Sequence, residues 1–167
     1  MVKEILLTKG FTAIVDDVDY VQLPKRWQCL HRKWTYAVRR VREGKGKRSI
    51  YLHRLIWEMH NGPIPPGMEI DHINGNRLDD RLVNLRMCTC DENHFNRHAA
   101  ISGSSKFKGV SWDKNNEKWS AKIKYAGKTV NLGRFSSETK AALAYNRKAI
   151  ELHGIYARIN CVEEVLG

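Results

Sequence analysis

Four polar residues between positions 71 and 93 have the side chains that metal-assisted hydrolysis of a phosphodiester requires. Asp71 and Asn93 offer a carboxylate and an amide oxygen, and such hard donors favour one Mg²⁺ or Mn²⁺ ion over zinc. A neutral imidazole has an unperturbed pKa near ~6.5, so His72 can take a proton from water as the general base. Asn84 is expected to pin the intervening loop through hydrogen bonds to the backbone and so to hold His72 in line for attack.

A strand, a loop, a second strand and a helix are needed to bring these residues together. Residues 70–73 and 85–88 have the composition of two short strands, and residues 74–76, Asn-Gly-Asn, are typical of a turn. Residues 89–92, Thr-Cys-Asp-Glu, form a capping box that predicts the start of a helix. This order places the Asp-His pair at the end of the first strand and the second proposed metal ligand in the first helical turn.

The stretch IDHINGNRLDDRLVNLRMCTCDENHFNR, with LHRLIWEMHNGPIPPGMEIDHINGN upstream of it, resembles the HNH nucleases known from phage homing endonucleases. The resemblance implies a ββα-metal core at about residues 68–98. It also implies that the residue matching His72 is the general base, that Asp71 and Asn93 bind the metal ion, and that Asn84 has a structural role.

Further positions extend this match. Arg97 stands where some relatives place a second histidine, one turn after the helix ligand, and is expected to hold a phosphate oxygen. His53 matches a histidine of the family's upstream strand, where a packed, hydrogen-bonded role and a role in catalysis or DNA contact both remain open. His94 and His98 are expected on a helix surface that faces solvent or DNA.

The distribution of charge indicates an anionic partner. The chain has 29 Lys and Arg against 18 Asp and Glu, a formal net charge of +11 and a pI near 9.7. Residues 1–60 carry 13 basic and 6 acidic side chains, residues 61–98 carry 4 and 6, and residues 99–167 carry 12 and 6. The net-acidic segment holds the proposed metal ligands, so a cation site lies between two segments that attract a polyanion.

The last third of the chain has the pattern of a small antiparallel sheet backed by one helix. Strands are predicted at residues 106–112, 118–125 and 128–135. The middle strand alternates apolar residues on one face with Lys118, Lys122 and Lys124 on the other. A helix capped by Ser136 or Ser137 is predicted to run to about residue 153.

The stretch KGVSWDKNNEKWSAKIKYAGKTVNLGRF, followed by AALAYNRKAIELHG, resembles the APETALA2-type DNA-binding domain of plant ethylene-response factors. In that family the sheet lies in the major groove of duplex DNA. Contacts are therefore implied at or close to Lys108, Ser111, Trp112, Lys124 and Asn131, and the lysine face adds Lys118 and Lys122. Asn131 can pair with adenine, whereas the lysines supply phosphate affinity. A merely solvated sheet surface is the alternative for the lysine face.

The first fifty residues resemble the leader of phage HNH enzymes more weakly. Strands are expected at residues 5–8, 11–15, 36–41 and 49–53, with a hairpin loop at 42–48 and a helix at 54–60. This region is expected to pack on the nuclease unit and to add phosphate contacts through Arg39, Arg40, Arg42, Lys45, Lys47 and Arg48.

The predicted fold class is α+β: a β-rich N-terminal region leads into a ββα-metal HNH unit, and a three-stranded antiparallel sheet packs on one helix. The expected divisions are a nuclease domain at 1–98, a linker at 99–106 and an APETALA2-type domain at 107–160. No stretch is apolar enough to cross a membrane, so the cytoplasm is expected, that of a bacterial host if a phage encodes the chain. Reduced cysteines are expected, with zinc bound by Cys88 and Cys90 as the alternative.

These patterns predict a metal-dependent, site-selective endonuclease that acts on double-stranded DNA as a monomer. One active centre cuts one strand, so a monomer is expected to nick unless it dimerises or rebinds. The alternative is a sequence-specific DNA-binding regulator whose nuclease unit is inactive. A nuclease directed at RNA is disfavoured, because A-form RNA closes its major groove to side chains.

Overall fold

The chain has a mixed α and β fold. The computed structural model describes residues 1–31, 35–44, 46–96 and 103–162. In these residues the strands form four small antiparallel sheets, accompanied by a few helices. The chain divides into two compact units, Met1–Asp91 and Glu92–Gly167.

The first unit contains three of the sheets. Its elements are β1 (Val2–Leu6), β2 (Thr12–Asp16), α1 (Asp17–Tyr20), β3 (Gln28–His31), β4 (Thr35–Glu43), β5 (Gly46–Tyr51), α2 (Leu52–Asn61), β6 (Met68–His72) and β7 (Leu85–Thr89). The sheets pair β1 with β2, β3 with β4 and β5, and β6 with β7. Helix α3 (Cys90–Phe95) follows β7 directly.

One apolar core joins these sheets to α2. It includes Val15 of β2, Ala37 of β4, Leu52 and Ile56 of α2, and Leu85 of β7, each at most 5% exposed. Leu52 and Ile56 are four residues apart, so they lie on one helix face and are buried together. Burial of one such side chain stabilises the fold by about 1.5–3 kcal/mol, so the core holds α2 firmly against the strands.

The N-terminal region differs from the sequence prediction in several places. Strand β1 lies at Val2–Leu6 instead of 5–8, and α1 was not predicted. The strand predicted at 49–53 ends at Tyr51, and His53 therefore lies in the first turn of α2 instead of a strand. Helix α2 buries Leu52 and Ile56 together on one face, and this burial stabilises a helix here. Strand β3 was not predicted, and the predicted loop at 42–48 is shorter because β4 and β5 pair out to Glu43 and Gly46.

The β6–β7 hairpin and α3 follow the predicted order of strand, loop, strand and helix. The observed strands lie within two residues of the predicted ones at each end. Asp71 pairs with Arg86 across the hairpin and His72 pairs with Leu85. The hairpin therefore places the Asp-His pair at the end of β6, where the chain enters the loop.

The second unit is a three-stranded sheet covered by one helix. Its elements are β8 (Val110–Asp113), β9 (Lys118–Tyr125), β10 (Lys128–Phe135) and α4 (Glu138–His153). Strands β9 and β10 have their predicted bounds, whereas β8 begins four residues later than predicted. Ser137 caps α4, with its side chain accepting a hydrogen bond from Lys140 N, and Gly154 follows the last helical residue.

Close contact between α4 and the sheet requires a glycine. Ala141, Tyr145 and Ala149 are buried on the inner face of α4. Gly109 has a φ of +75°, and a Cβ there would lie 2.1 Å from Tyr145 Cδ2 and 2.6 Å from Lys122 O. Small side chains on the helix and a glycine before β8 therefore allow the two layers to approach closely.

Strand β10 contains a β-bulge between Asn131 and Gly133. Asn131 lies opposite Lys122, and Arg134 lies opposite Ser120, so both lie on the face of β9 that carries the lysines. Strict alternation from Asn131 would have put Arg134 on the other face. The bulge therefore adds an arginine to the lysine face.

Candidate active site

His72 is paired with a carboxylate that was not among the sequence-predicted site residues. His72 Nε2 lies 2.9 Å from Asp80 Oδ1, and the two residues are 3% and 0% exposed. Burial raises the pKa of Asp80, while the hydrogen bond with His72 acts in the opposite direction. When Nε2 carries the proton and donates it to Asp80, Nδ1 carries the lone pair. In this tautomer, Nδ1 is the ring nitrogen of His72 that can accept a proton.

Strand β2 holds the loop that carries Asp80. Ile14 N donates to Leu78 O at 2.7 Å, and Asp80 N donates to Ile14 O at 2.8 Å. Two residues further along, Leu82 N donates to Asp16 Oδ2 at 3.0 Å. Backbone on both sides of the carboxylate is therefore fixed by the N-terminal region.

Asn84 closes the same loop through its side chain. Its Oδ1 accepts from Asn74 N at 3.0 Å, and its Nδ2 donates to Asp79 O at 2.7 Å and to Asn74 Oδ1 at 3.1 Å. Its backbone carbonyl accepts from Ile73 N at 2.8 Å. Arg81 donates two 2.7 Å hydrogen bonds to Asp79 and holds the pKa of that carboxyl below its usual range. These contacts bind the loop to the start of β7.

His53 lies beside His72. The two ring centroids are 5.0 Å apart, and Tyr36 lies 5.4 Å from His53 and 6.4 Å from His72. Burial, followed by the neighbouring positive charges, lowers the pKa of His53 well below its ordinary value of 6.5. The Arg77 guanidinium lies over the Tyr36 ring, 5.5 Å from its centroid. The structure thus gives His53 a packed environment next to the proposed base.

Asp71 is already paired with a cation from its own hairpin. Arg86 Nε and Nη2 donate to Asp71 Oδ2 at 3.0 and 2.7 Å, and Asp71 is 7% exposed. As a hard oxygen donor, Asp71 fits a divalent ion of the magnesium type.

Comparison with known proteins places this segment in a family. A family model described as HNH endonuclease matches residues 50–95. The chain is 42% identical over 106 residues to Protein 3.8 of Escherichia phage T7, an alignment that covers 64% of this chain and 87% of the phage protein. The chain belongs to the HNH endonuclease family. HNH endonucleases generally use a divalent metal ion, and DNA is the substrate that the family implies.

Two further relatives match different parts of this chain. It is 35% identical over 116 residues to the uncharacterized HNH endonuclease L560 of Acanthamoeba polyphaga mimivirus, covering 69% of this chain and 59% of that protein. It is 38% identical over 66 residues to an AP2-like ethylene-responsive transcription factor of Arabidopsis thaliana, covering 40% of this chain and 14% of that protein. The second match is a partial similarity to AP2-like proteins in the C-terminal region.

The remaining residues of the predicted HNH site lie beyond β7. Asn93 is half-buried on α3, in the second unit, and its part as a metal ligand stays a prediction. His94 on the same helix is exposed. Arg97, predicted to hold a phosphate, and His98 lie outside the described residues, as does Lys45 in the N-terminal region.

The basic residues of β4 point to two faces of their sheet. Arg40, Arg42 and Lys47 line a groove of about 490 Å³ together with Gln28 and Val41. Arg39 precedes Arg40 in the strand, so its side chain leaves on the opposite face. Arg40 is exposed, whereas Arg39 is half-buried.

Most of the residues predicted to contact DNA share one face of the second sheet. Five of them are exposed and lie on the lysine face: Ser111, Lys118, Lys122, Lys124 and Asn131. Trp112 differs, because it lies opposite Trp119 and makes an edge contact with that ring at 5.1 Å. It therefore points to the helix side of the sheet.

Lys108 has an internal partner. Its Nζ donates to Phe95 O, and its backbone N–H and C=O bond to the side chain of Asn160. The residue is half-buried, so it holds parts of the second unit together instead of extending from the exposed lysine face.

Sequence signals for the two residues that were missed are weak but present. Asp80 belongs to an acidic pair that lies between Leu78 and Leu82, and the flanking leucines are the only hint that its carboxylate is buried. Gly133 inside a strand is typical of a bulge, which is what turns Arg134 to the lysine face. The structure joins none of the four cysteines in a disulfide bond. Among the described residues, no helix is long and apolar enough to cross a membrane.

Proposed function

We propose that this HNH-family chain is a metal-dependent endonuclease that cuts double-stranded DNA at selected sites. The observation that carries the proposal is the buried hydrogen bond between His72 and Asp80, within the segment that matches HNH endonucleases. A carboxylate that binds one imidazole nitrogen leaves the other oriented for proton transfer, which is what a general base needs.

In this proposal each residue of the hairpin has one task. His72 takes the proton from the attacking water through Nδ1, Asp80 positions the ring, and Asn84 holds the loop that carries Asp80. Proton transfer of this kind contributes typically ~10²–10⁴-fold to rate. Because only 3% of His72 is exposed, water reaches the ring through a small opening or after covering side chains shift on DNA binding.

Asp71 and Asn93 are the proposed ligands of one Mg²⁺ or Mn²⁺ ion per active site. When bound, that ion supplies positive charge against the scissile phosphate and the leaving oxygen. Support comes from the chemistry of the donors, since carboxylate and amide oxygens are hard ligands. Arg86 orients the Asp71 carboxylate through its two hydrogen bonds, and Arg97 is proposed to hold a phosphate oxygen.

In this proposal the second unit selects the DNA site that is cut. The exposed Ser111, Lys118, Lys122, Lys124 and Asn131 offer several donors on one sheet face, and Arg134 joins them there. Lysines supply phosphate affinity, and an asparagine can pair with adenine in the major groove. The chain is proposed to act on duplex DNA as a monomer, with domains at 1–98 and 107–160 joined by residues 99–106.

Metal dependence tests this function. Asp71→Ala and Asn93→Ala are expected to abolish cleavage of DNA flanking the gene of origin while DNA binding persists, and excess EDTA is expected to stop the wild-type chain. Asp17→Ala, which removes a carboxylate bonded only weakly to Lys3 at 3.8 Å, is the control and should cut normally. Undiminished cleavage in EDTA would refute a metal-dependent reaction.

A DNA-binding regulator with an inactive nuclease unit is the second candidate. The observation that favours it is the pairing of Asp71 with Arg86, because a guanidinium competes with a metal ion for the same carboxylate. The same experiment separates the two functions. A regulator binds its DNA with or without Mg²⁺ and leaves every strand intact.

A further inference from the structure

Three buried side chains next to the proposed base form a cluster rich in nitrogen donors. His53, His72 and Asp80 are 7%, 3% and 0% exposed, and one ligand atom of each lies within 4.8 Å of the others. Two imidazoles with one carboxylate are a ligand set that binds zinc in catalytic sites. It is softer than the oxygen pair of Asp71 and Asn93, so it prefers a different metal ion.

One carboxylate oxygen of this cluster lacks a hydrogen-bond partner among the described residues. Asp80 Oδ1 is bonded to His72, but Oδ2 is buried and has no hydrogen-bond partner among the described residues. A buried acceptor without a partner is costly, and more so when it carries charge. A cation held by Oδ1 and the two imidazoles would lie beside Oδ2 and offset part of that cost.

We propose that His53, His72 and Asp80 bind a transition-metal ion of the zinc type, and that occupancy of this site switches off DNA cleavage. The part of the proposal that concerns inhibition rests on the function proposed above for His72. The part that concerns metal binding rests only on the three clustered side chains.

The geometry requires small movements. Zinc holds nitrogen and oxygen ligands at ~2.0–2.2 Å, so two ligands of a tetrahedral ion are about 3.3 Å apart. His72 Nε2 and Asp80 Oδ1, now 2.9 Å apart, would open by a few tenths of an ångström. His53 would approach by up to about 1.5 Å, a side-chain movement within the first turn of α2.

Inhibition follows from the tautomers of one imidazole ring. As a base, His72 keeps its proton on Nε2, bonded to Asp80, and accepts a second proton on Nδ1. A metal ion at Nε2 takes that nitrogen's lone pair, and the ring proton moves to Nδ1, so no lone pair remains for water's proton. Zinc binding and general-base catalysis therefore need opposite tautomers of His72.

Titration of the reduced, full-length chain with Co²⁺ tests the site, in excess Mg²⁺ so that the oxygen donors are filled. One equivalent is expected to give the intense visible absorption of tetrahedral cobalt, and one equivalent of Zn²⁺ is expected to abolish it and to raise the melting temperature. Both signals should be lost in His53→Gln and in Asp80→Asn.

A second histidine–carboxylate pair, in which only the carboxylate is buried, provides a control. His60 Nε2 lies 2.6 Å from Asp19 Oδ1, and no third ligand joins them among the described residues. His60→Gln should keep the wild-type cobalt spectrum. The site is refuted if wild type gives only the weak spectrum of octahedral cobalt, if the spectrum survives in both cluster variants, or if a sulfur-to-cobalt band shows that cysteines bind instead. If the variants unfold, the cobalt titration of the wild-type chain still shows whether the tetrahedral site exists.

Cleavage by the wild-type chain is then followed as Zn²⁺ is added. Its rate should fall in proportion to occupancy and reach background at one equivalent. Stoichiometric binding without loss of cleavage refutes the part of the proposal that concerns inhibition. A chain that binds zinc but never cuts DNA supports the site and refutes the proposed function, whereas a chain that cuts DNA and gives no tetrahedral cobalt refutes the site alone.

Discussion

At the scale of single residues, the chemistry depends on which nitrogen of His72 carries the lone pair. The sequence predicted His72 and Asp71 from their position at the end of a short strand, and the hairpin puts them there. Asp80 was not predicted, because it lies eight residues away in a loop. Backbone contacts of Ile14 help to bring this loop to the imidazole, and no local sequence pattern records a contact across 66 residues.

Asp80→Asn is expected to lower the single-turnover cleavage rate by about tenfold or more, with DNA affinity unchanged. The reason is that the amide can hold the ring in the wrong tautomer, and a misalignment worth ~1.4 kcal/mol costs a factor of about ten. Rapid-quench kinetics at saturating enzyme measure this rate.

The control for Asp80→Asn is Asp19→Asn, which alters a buried carboxylate bonded to His60 and should keep the wild-type rate. A double variant adds a readout that a merely structural role would not give. If Asp80 acts through His72, then adding Asp80→Asn to His72→Ala should cause no further loss. A second loss of similar size would contradict the positioning role.

At the scale of elements, prediction succeeded where the signals are local. Alternation predicted β9, the hairpin turn at residues 126–127 predicted β10, and a serine cap with Gly154 predicted α4. Prediction failed where tertiary contact decides. His53 was predicted in a strand at residues 49–53, yet α2 begins at Leu52, which is buried in the core with Ile56.

Gly109→Ala is expected to destabilise the second unit by about 2–5 kcal/mol. A left-handed residue with a Cβ costs about 1–2 kcal/mol, and overpacking against Tyr145 adds about 1–3 kcal/mol. Gly127→Ala is the matched control, since its φ is +76° but nothing lies within 4 Å of the added Cβ, so only the first cost applies. Urea unfolding of both variants measures the difference, and equal losses would contradict the close contact of α4 with the sheet.

At the scale of the whole molecule, the charge distribution supports the proposed division between DNA binding and chemistry. The segment 61–98 is net acidic, while the segments on either side are net basic. Composition predicted an anionic partner, and the resemblance predicted the sheet that is proposed to bind it. Only the structure shows which residues lie on the lysine face. Trp112 turns to the helix side of the sheet, Lys108 bonds to Phe95, and the bulge in β10 brings Arg134 to the lysine face.

Removing two lysines should flatten the salt dependence of DNA binding. Each lost phosphate contact lowers the slope of log affinity against log salt by about 0.9, so Lys122→Ala with Lys124→Ala should lower it by up to about 2. Asn131→Ala should keep the slope and relax base preference. The control is Lys140→Ala with Arg147→Ala, two exposed cations on α4. An unchanged slope in the lysine variant would show that this face is solvated surface.

Single-turnover cleavage by His72→Ala tests most directly whether His72 is the general base of a DNA endonuclease. In saturating Mg²⁺, with the melting temperature and DNA affinity of the wild type, this variant should cut ~10²–10⁴-fold more slowly than the wild-type chain. A wild-type rate would contradict the account and make His53 the first candidate for the base.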